Sequence, residues 1–205
     1  MELSVLSGDE RMSYVEFTSL IDQWAILGVR LYKNGTRCIG HIPHRAPEAY
    51  LHRLLGPLDD SSIWDMQDVL EWDFPSSFAR FLRLHNGVDV FTMFIGIDGF
   101  RTSWKRTDDD EMAQQPFDIT THNVHRRPSD APDDMLFIGS LGDERGLVGL
   151  LPTGEVLQWG DKCPVPGTRY ANVFEFLLLE TKKARPLFDD IGKRKDGSDI
   201  MWKPS

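Results

Sequence analysis

Phe17, Leu20, Ile21, Trp24, Leu31 and Tyr32, with Gly28 among them, recur at helical spacing behind a Ser13/Glu16 capping pair, and Asn34-Gly35 supplies a C-terminal stop. This pattern predicts one long N-terminal helix. A competing reading breaks it at Gly28 and turns Val29 to Ile39 into a hairpin around Asn34-Gly35. Pro47 then opens a short helix through Leu55, closed by Gly56-Pro57. Ser62 with Asp65 caps the next helix, which turns Ile63, Met66, Val69 and Leu70 to one side. Phe74-Pro75 starts another, with Phe78, Phe81, Leu82 and His85 on one stripe, Arg80 and Arg83 outward, and Asn86-Gly87 at its end.

Beyond Gly87 the period shifts from helical to two. Val88 to Gly96 reads as a strand with apolar residues on both faces. Residues 99–132 are acidic and weakly periodic, and read as a surface insertion with little regular structure. Met135 to Gly139, Leu147 to Leu151 and Glu155 to Trp159 look like strands, the last two joined by Pro152-Thr153-Gly154. Asn172 with Glu175 opens a last amphipathic helix through about Arg185, and everything after Pro186 reads as a polar tail. Helices, then a strand meander, then a closing helix predict an α+β fold: a twisted, mainly antiparallel sheet with helices packed on it and an N-terminal helical extension. The expected divisions are an extension over 1–61, a core domain over 62–185 and the tail over 186–205.

The 205 residues carry a formal charge of −9 and 40% hydrophobic residues, enough for a core without disulfides or a structural metal. Excess acid argues against nucleic acid and anionic membrane as partners. No apolar run approaches the length of a membrane span, and the first residues lack a signal-peptide core, so the expected location is cytoplasmic. The charge is local. Asp59 to Asp73 holds six acids and no Lys or Arg, and Asp108 to Asp134 holds eight acids against Arg126 and Arg127, so the remainder is slightly basic. Such runs fit solvated loops, or an acidic patch that steers a basic partner. On the predicted helix that starts at Ser62, Trp64, Asp65, Asp68, Glu71 and Trp72 project away from the apolar side. Either a neighbouring segment covers the tryptophans, or they anchor a partner.

Catalytic motifs are missing. Leu187 occupies the glycine position of a phosphate-binding loop, and Gly139-Ser140-Leu141-Gly142 is misaligned for a nucleophile elbow. His41/His44 and His122/His125 share a His-x-x-His spacing without a Glu or Cys pair to complete a metal site. Cys38 and Cys163 lack an adjacent activating His, and His85 reads as a core histidine. No cofactor, metal or catalytic residue is expected.

The order Asp68-Val69-Leu70-Glu71, Phe74-Pro75, Phe78, Phe81-Leu82 and Asn86-Gly87 resembles the SUKH superfamily, in the branch of fungal cell-wall-assembly regulators (Smi/Knr-like). Phe137-Ile138-Gly139, Gly142-Asp143, Thr153-Gly154-Glu155-Val156 with Trp159, and Val173 to Leu179 are similar to its paired strands and closing helix. The resemblance implies the same α+β fold and a non-enzymatic role, because bacterial relatives are commonly immunity proteins that neutralise polymorphic or contact-delivered toxins. The partner-binding residues expected on that basis are Trp64 and Trp72 as apolar anchors, with Asp65, Asp68, Glu71, Asp108, Asp109, Asp110 and Glu111 supplying charge against a basic toxin domain. The alternative is an intracellular scaffold or regulator that recruits other proteins.

Overall fold

The computed structural model describes residues 3–101, 113–160 and 167–197. Helix α1 runs over Gly8–Ile21 and is capped by Ser7 and Glu10, not by the expected Ser13 and Glu16. Ser7 accepts from the Glu10 amide at 3.4 Å while Glu10 Oε2 accepts from the Ser7 amide at 2.9 Å. Ser13 and Glu16 lie inside the helix, where Glu16 pairs with Lys182 at 2.6 Å. The helix tightens into a 3-10 turn over Asp22–Leu27 and ends at Gly28, whose φ of 125° is open to glycine but strained for other residues. The single helix to Asn34 is therefore corrected to the hairpin reading: strands β1 (Val29–Leu31) and β2 (Arg37–His41) pair around Asn34-Gly35. The helix expected from Pro47 is replaced by strand β3 (Tyr50–Leu54). Leu51, Leu54 and Leu55 suit a helical stripe, but pairing with β2 decides the conformation.

Helix α2 (Asp60–Leu70) is capped by Asp59, which accepts from the Ser62 amide at 2.8 Å, and ends on a left-handed Glu71. Helix α3 (Ser76–Leu82) starts directly after Pro75, and its Phe78, Phe81 and Leu82 are buried. Gly87 (φ 91°) then turns the chain into the sheet, where a Cβ would lie 2.7 Å from the Ile97 carbonyl oxygen. The strand predicted over Val88 to Gly96 is instead a hairpin, β4 (Val88–Val90) and β5 (Ile95–Ile97), with Phe91, Thr92 and Met93 all left-handed between them. Asp89 holds this turn through the Met93 amide, and the Leu51 carbonyl accepts from the Thr92 amide at 2.9 Å. Strands β6 (Leu136–Leu141), β7 (Gly146–Leu150) and β8 (Val156–Trp159) follow as predicted, then β9 (Arg169–Tyr170) and helix α4 (Val173–Ala184), capped by Asn172.

Among the described residues nine strands lie in sequence order, each antiparallel to the next, in one open sheet. The fold is α+β, and the N-terminal helix is present. Segment 1–61 also supplies β1 to β3, and its boundary with 62 falls inside α2. Helices α1, α3 and α4 pack together. Phe17, Ile21, Phe78, Phe81, Phe174 and Phe176 are completely buried in the core they share with the sheet. The opposite face divides in two. Over β6 to β8, Met135, Phe137 and Leu157 form a satellite cluster that Ala131 helps cover. Here the described part of the 99–132 insertion is docked rather than loose: Ile119 is buried, and Asn123 exchanges two hydrogen bonds with the Phe137 backbone at 2.6 and 2.8 Å. Over β1 to β4 the register aligns Arg30, Cys38, Arg53 and Asp89 in one polar row.

Two buried carboxylates lock the helices. Glu10 receives both Arg80 nitrogens at 2.7 and 2.9 Å. Glu180 receives Arg145 at 2.8 Å, Lys183 at 2.6 Å and the Tyr170 hydroxyl. Burial alone would raise both pKa values, but the hydrogen bonds and charges of these partners hold each below the ordinary carboxylate range. The chain beyond Pro186 is more ordered than a polar tail through residue 197. Phe188 is buried and stacks on Phe91 at 4.4 Å, while the Trp24 indole donates to the Asp189 carbonyl at 2.9 Å. Phe188→Ala is expected to cost about 3 kcal/mol or more of unfolding free energy, read by urea titration, whereas a surface tail would give a change near zero.

His52 and His85 set the acid response. Burial pushes them down to about 3 and about 4, and the Leu55 carbonyl only partly restores His85 by accepting from its Nδ1 at 3.1 Å. Because their folded pKa values lie below the ordinary 6.5, the unfolded chain binds more protons and stability falls as pH drops from about 6.5 towards 4. By pH 5 each histidine costs about 2 kcal/mol, and Asp98, raised by burial to about 6, offsets about 1 kcal/mol in the other direction. Urea unfolding is expected to show a net loss of about 2 to 3 kcal/mol between pH 7 and pH 5, smaller in His52→Gln.

Candidate protein-binding surface

Helix α2 buries Ile63 and Met66 and packs Leu70 against the core, while Val69, expected on the same apolar side, is exposed. Trp64 is 71% exposed, and Asp65, Asp68 and Glu71 are exposed beside it, with Val69 half-exposed on the same helix. The helix contains no Lys or Arg, and its nearby base Arg83 is paired with Asp60 at 2.7 Å. An exposed indole ringed by carboxylates has the composition of an interface hot spot. Trp72 is different. It is half-buried against the main core, and its indole nitrogen is sealed from water with no hydrogen-bond partner among the described residues. The two tryptophans expected as one pair are thus divided between surface and core, because the left-handed Glu71 redirects the chain after α2. Asp108, Asp109, Asp110 and Glu111 lie outside the described residues.

The groups with displaced pKa values do not gather into a reacting centre. His85 accepts from the Tyr14 hydroxyl at 2.7 Å and donates to Leu55, so both ring nitrogens are satisfied. Asp98 and His122 face each other at 3.7 Å at the foot of the insertion. The Cys38 thiol is pushed up to about 11 by burial, which leaves little thiolate for nucleophilic chemistry. Cys163 lies outside the described residues. His41 contacts the Pro47 carbonyl at 2.8 Å, and among the described residues no three His, Cys, Asp or Glu side chains converge to hold a metal.

Two cavities flank the start of the sheet. One, about 560 Å³, lies on the helix side and is lined by Tyr14, Leu31, Arg37, Leu54, Pro57 and Leu84. The other, about 490 Å³, lies on the polar face and is lined by Arg30, Tyr32, Arg45, Tyr50 and Arg53 with Glu48. Sequence reasoning missed both, since it weighted the helix reading of 29–34 over the hairpin. The signal was Asn34-Gly35 between Val29-Arg30-Leu31 and Arg37-Cys38-Ile39, a turn pair between alternating residues.

No family model and no curated protein matches the chain. Among the described residues no helix is long and apolar enough to cross a membrane. Trp64→Ala is expected to leave the unfolding free energy within about 0.5 kcal/mol of the parent, and Trp72→Ala to lower it by about 1 to 3 kcal/mol. Equal effects in chemical denaturation would mean that α2 does not present Trp64 to solvent.

Proposed function

We propose that this chain is a non-enzymatic, cytoplasmic protein-binding domain, an immunity protein that neutralises a cognate toxin by occlusion. The observation that carries the reading is the exposed Trp64 among Asp65, Asp68 and Glu71 on a helix without a basic residue. Hot-spot anchoring by an indole within a charged surround suits tight, fast protein association, and the acidic surround suits a basic partner domain. The α+β fold and the order of motifs from Asp68 to Gly87, which resembles the SUKH superfamily, support the same reading.

Co-purification from the native host at low salt, with mass spectrometry of the retained protein, is expected to yield a basic toxin domain. Charge reversal at Asp65 and Asp68 is expected to slow association about tenfold or more, and raised salt to do likewise. Retention of a regulatory protein without toxic activity would move the reading to an intracellular scaffold. Binding unaffected by salt and by both reversals would remove α2 from the interface.

A further inference from the structure

Helix α1 and the β1–β2 hairpin both contribute to the cavity of about 560 Å³ on the helix side of the sheet. Leu54 and Leu84 are buried and form its inner side, whereas Leu31 and Pro57 are exposed and lie at its mouth. Thr18 of α1 lines it half-buried, with its hydroxyl proton shared between the Tyr14 and Val15 carbonyls at 3.1 and 3.0 Å. That wall therefore offers a visitor no free donor. Size and lining match small-molecule sites, which are concave, mainly apolar and fitted with a few polar groups.

The polar groups of the inner side are Tyr14 and His85, both buried. The Leu55 carbonyl can only accept and lies 3.1 Å from His85 Nδ1, so that nitrogen carries the proton of the neutral ring. His85 Nε2 is then an acceptor, and the Tyr14 hydroxyl donates to it at 2.7 Å. Burial keeps both groups neutral, pushing the imidazole down to about 4 and the phenol up to about 12. The hydroxyl has spent its proton, but its oxygen still accepts, and among the described residues no donor reaches it. The two charges in the lining, Asp22 and Arg37, pair with each other at 2.8 Å. An ion entering here would shed hydration without meeting a free counter-charge, whereas a neutral ring with one N–H or O–H donor gains the Tyr14 oxygen.

We propose that this cavity binds a neutral, mainly apolar small molecule, roughly one or two rings in size, oriented by a donor to the Tyr14 hydroxyl oxygen. The site is separate from the outward face of α2 and does not depend on that face being a protein contact.

The test titrates the full chain, with isotope-labelled leucine methyls, at pH 7 with three probes: indole, neutral with one donor; benzofuran, the same shape without a donor; and indole-3-carboxylate, an anion. Indole is expected to shift the Leu54 and Leu84 methyl signals saturably, with a Kd of about 0.1 to 1 mM, and to leave Leu157 in the satellite cluster unmoved. Benzofuran is expected to bind about three- to tenfold more weakly and the carboxylate about tenfold or more weakly. Tyr14→Phe should bring indole down to the affinity of benzofuran and leave benzofuran unchanged, a selective effect that a loosened fold would not give. Thr18→Trp fills the cavity from the half-buried side of α1 and is expected to abolish binding of both neutral probes. If Tyr14→Phe does not fold, the indole-to-benzofuran ratio of the parent and the loss in Thr18→Trp decide the matter. Equal affinities for indole and benzofuran, shifts that persist in Thr18→Trp, or no saturable shift with any probe would each overturn the proposal. Methyl shifts at Leu54 and Leu84 caused by a captured protein partner, with none from the probes, would overturn it in favour of a protein contact.

Discussion

The contact of α1 with α4 over one face of the sheet is the constraint on which the rest of the molecule depends. Nine strands in sequence order make an open sheet whose inner face must be covered, and the first and last helices of the chain meet there with α3 to cover it. Burial of Phe17 and Ile21 from α1 against Phe174 and Phe176 from α4 closes the chain on itself across most of its length. Each helix is then fixed by a buried carboxylate, Glu10 to Arg80 for α1 and Glu180 to Arg145 for α4. These pairs add little net energy compared with burial, but breaking either leaves a charge stranded in the interior.

Helix α2 stands apart from this arrangement. It contributes only Ile63 and Met66 as fully buried residues, with Leu70 partly buried against the core, and exposes Trp64, Asp65, Asp68 and Val69. A helix held by a narrow apolar stripe has its outer face free for recognition, and the acidic residues there cost the fold nothing. The β1 edge is exposed for a different reason. Sequential antiparallel strands leave two sheet edges, and among the described residues β1 forms one of them.

From β6 to α4 the elements were legible because local signals and tertiary structure agree there. Asn172 caps α4, Pro152-Thr153-Gly154 joins β7 to β8, and Gly87 turns helix into sheet, each through a conformation its own residue type favours. The first half was misread where two periods compete. Leu51, Leu54 and Leu55 suit a helical stripe, yet they lie in or just after β3, and only the neighbouring strands β2 and β4 decide between the readings. Phe91, Thr92 and Met93 carry no turn signature, because their left-handed backbone is imposed from outside by Asp89 and by the stacking of Phe188 on Phe91. Of the candidate site, the outward face of α2 was legible from periodicity alone. The burial of Trp72 was not, since it follows from the direction in which the chain leaves α2.

By itself the sequence determined the fold class, the caps of the closing helix, the later strands and the local concentration of acid, all of which depend on residues a few positions apart. Only the tertiary structure decided that residues 29–54 are strands, that Phe188 belongs to the core, and that Trp64 faces water while Trp72 does not. Those outcomes rest on contacts between residues far apart in the chain, such as Phe91 with Phe188 and Trp24 with Asp189. Local preference there is too weak to choose, and burial against a distant partner chooses instead.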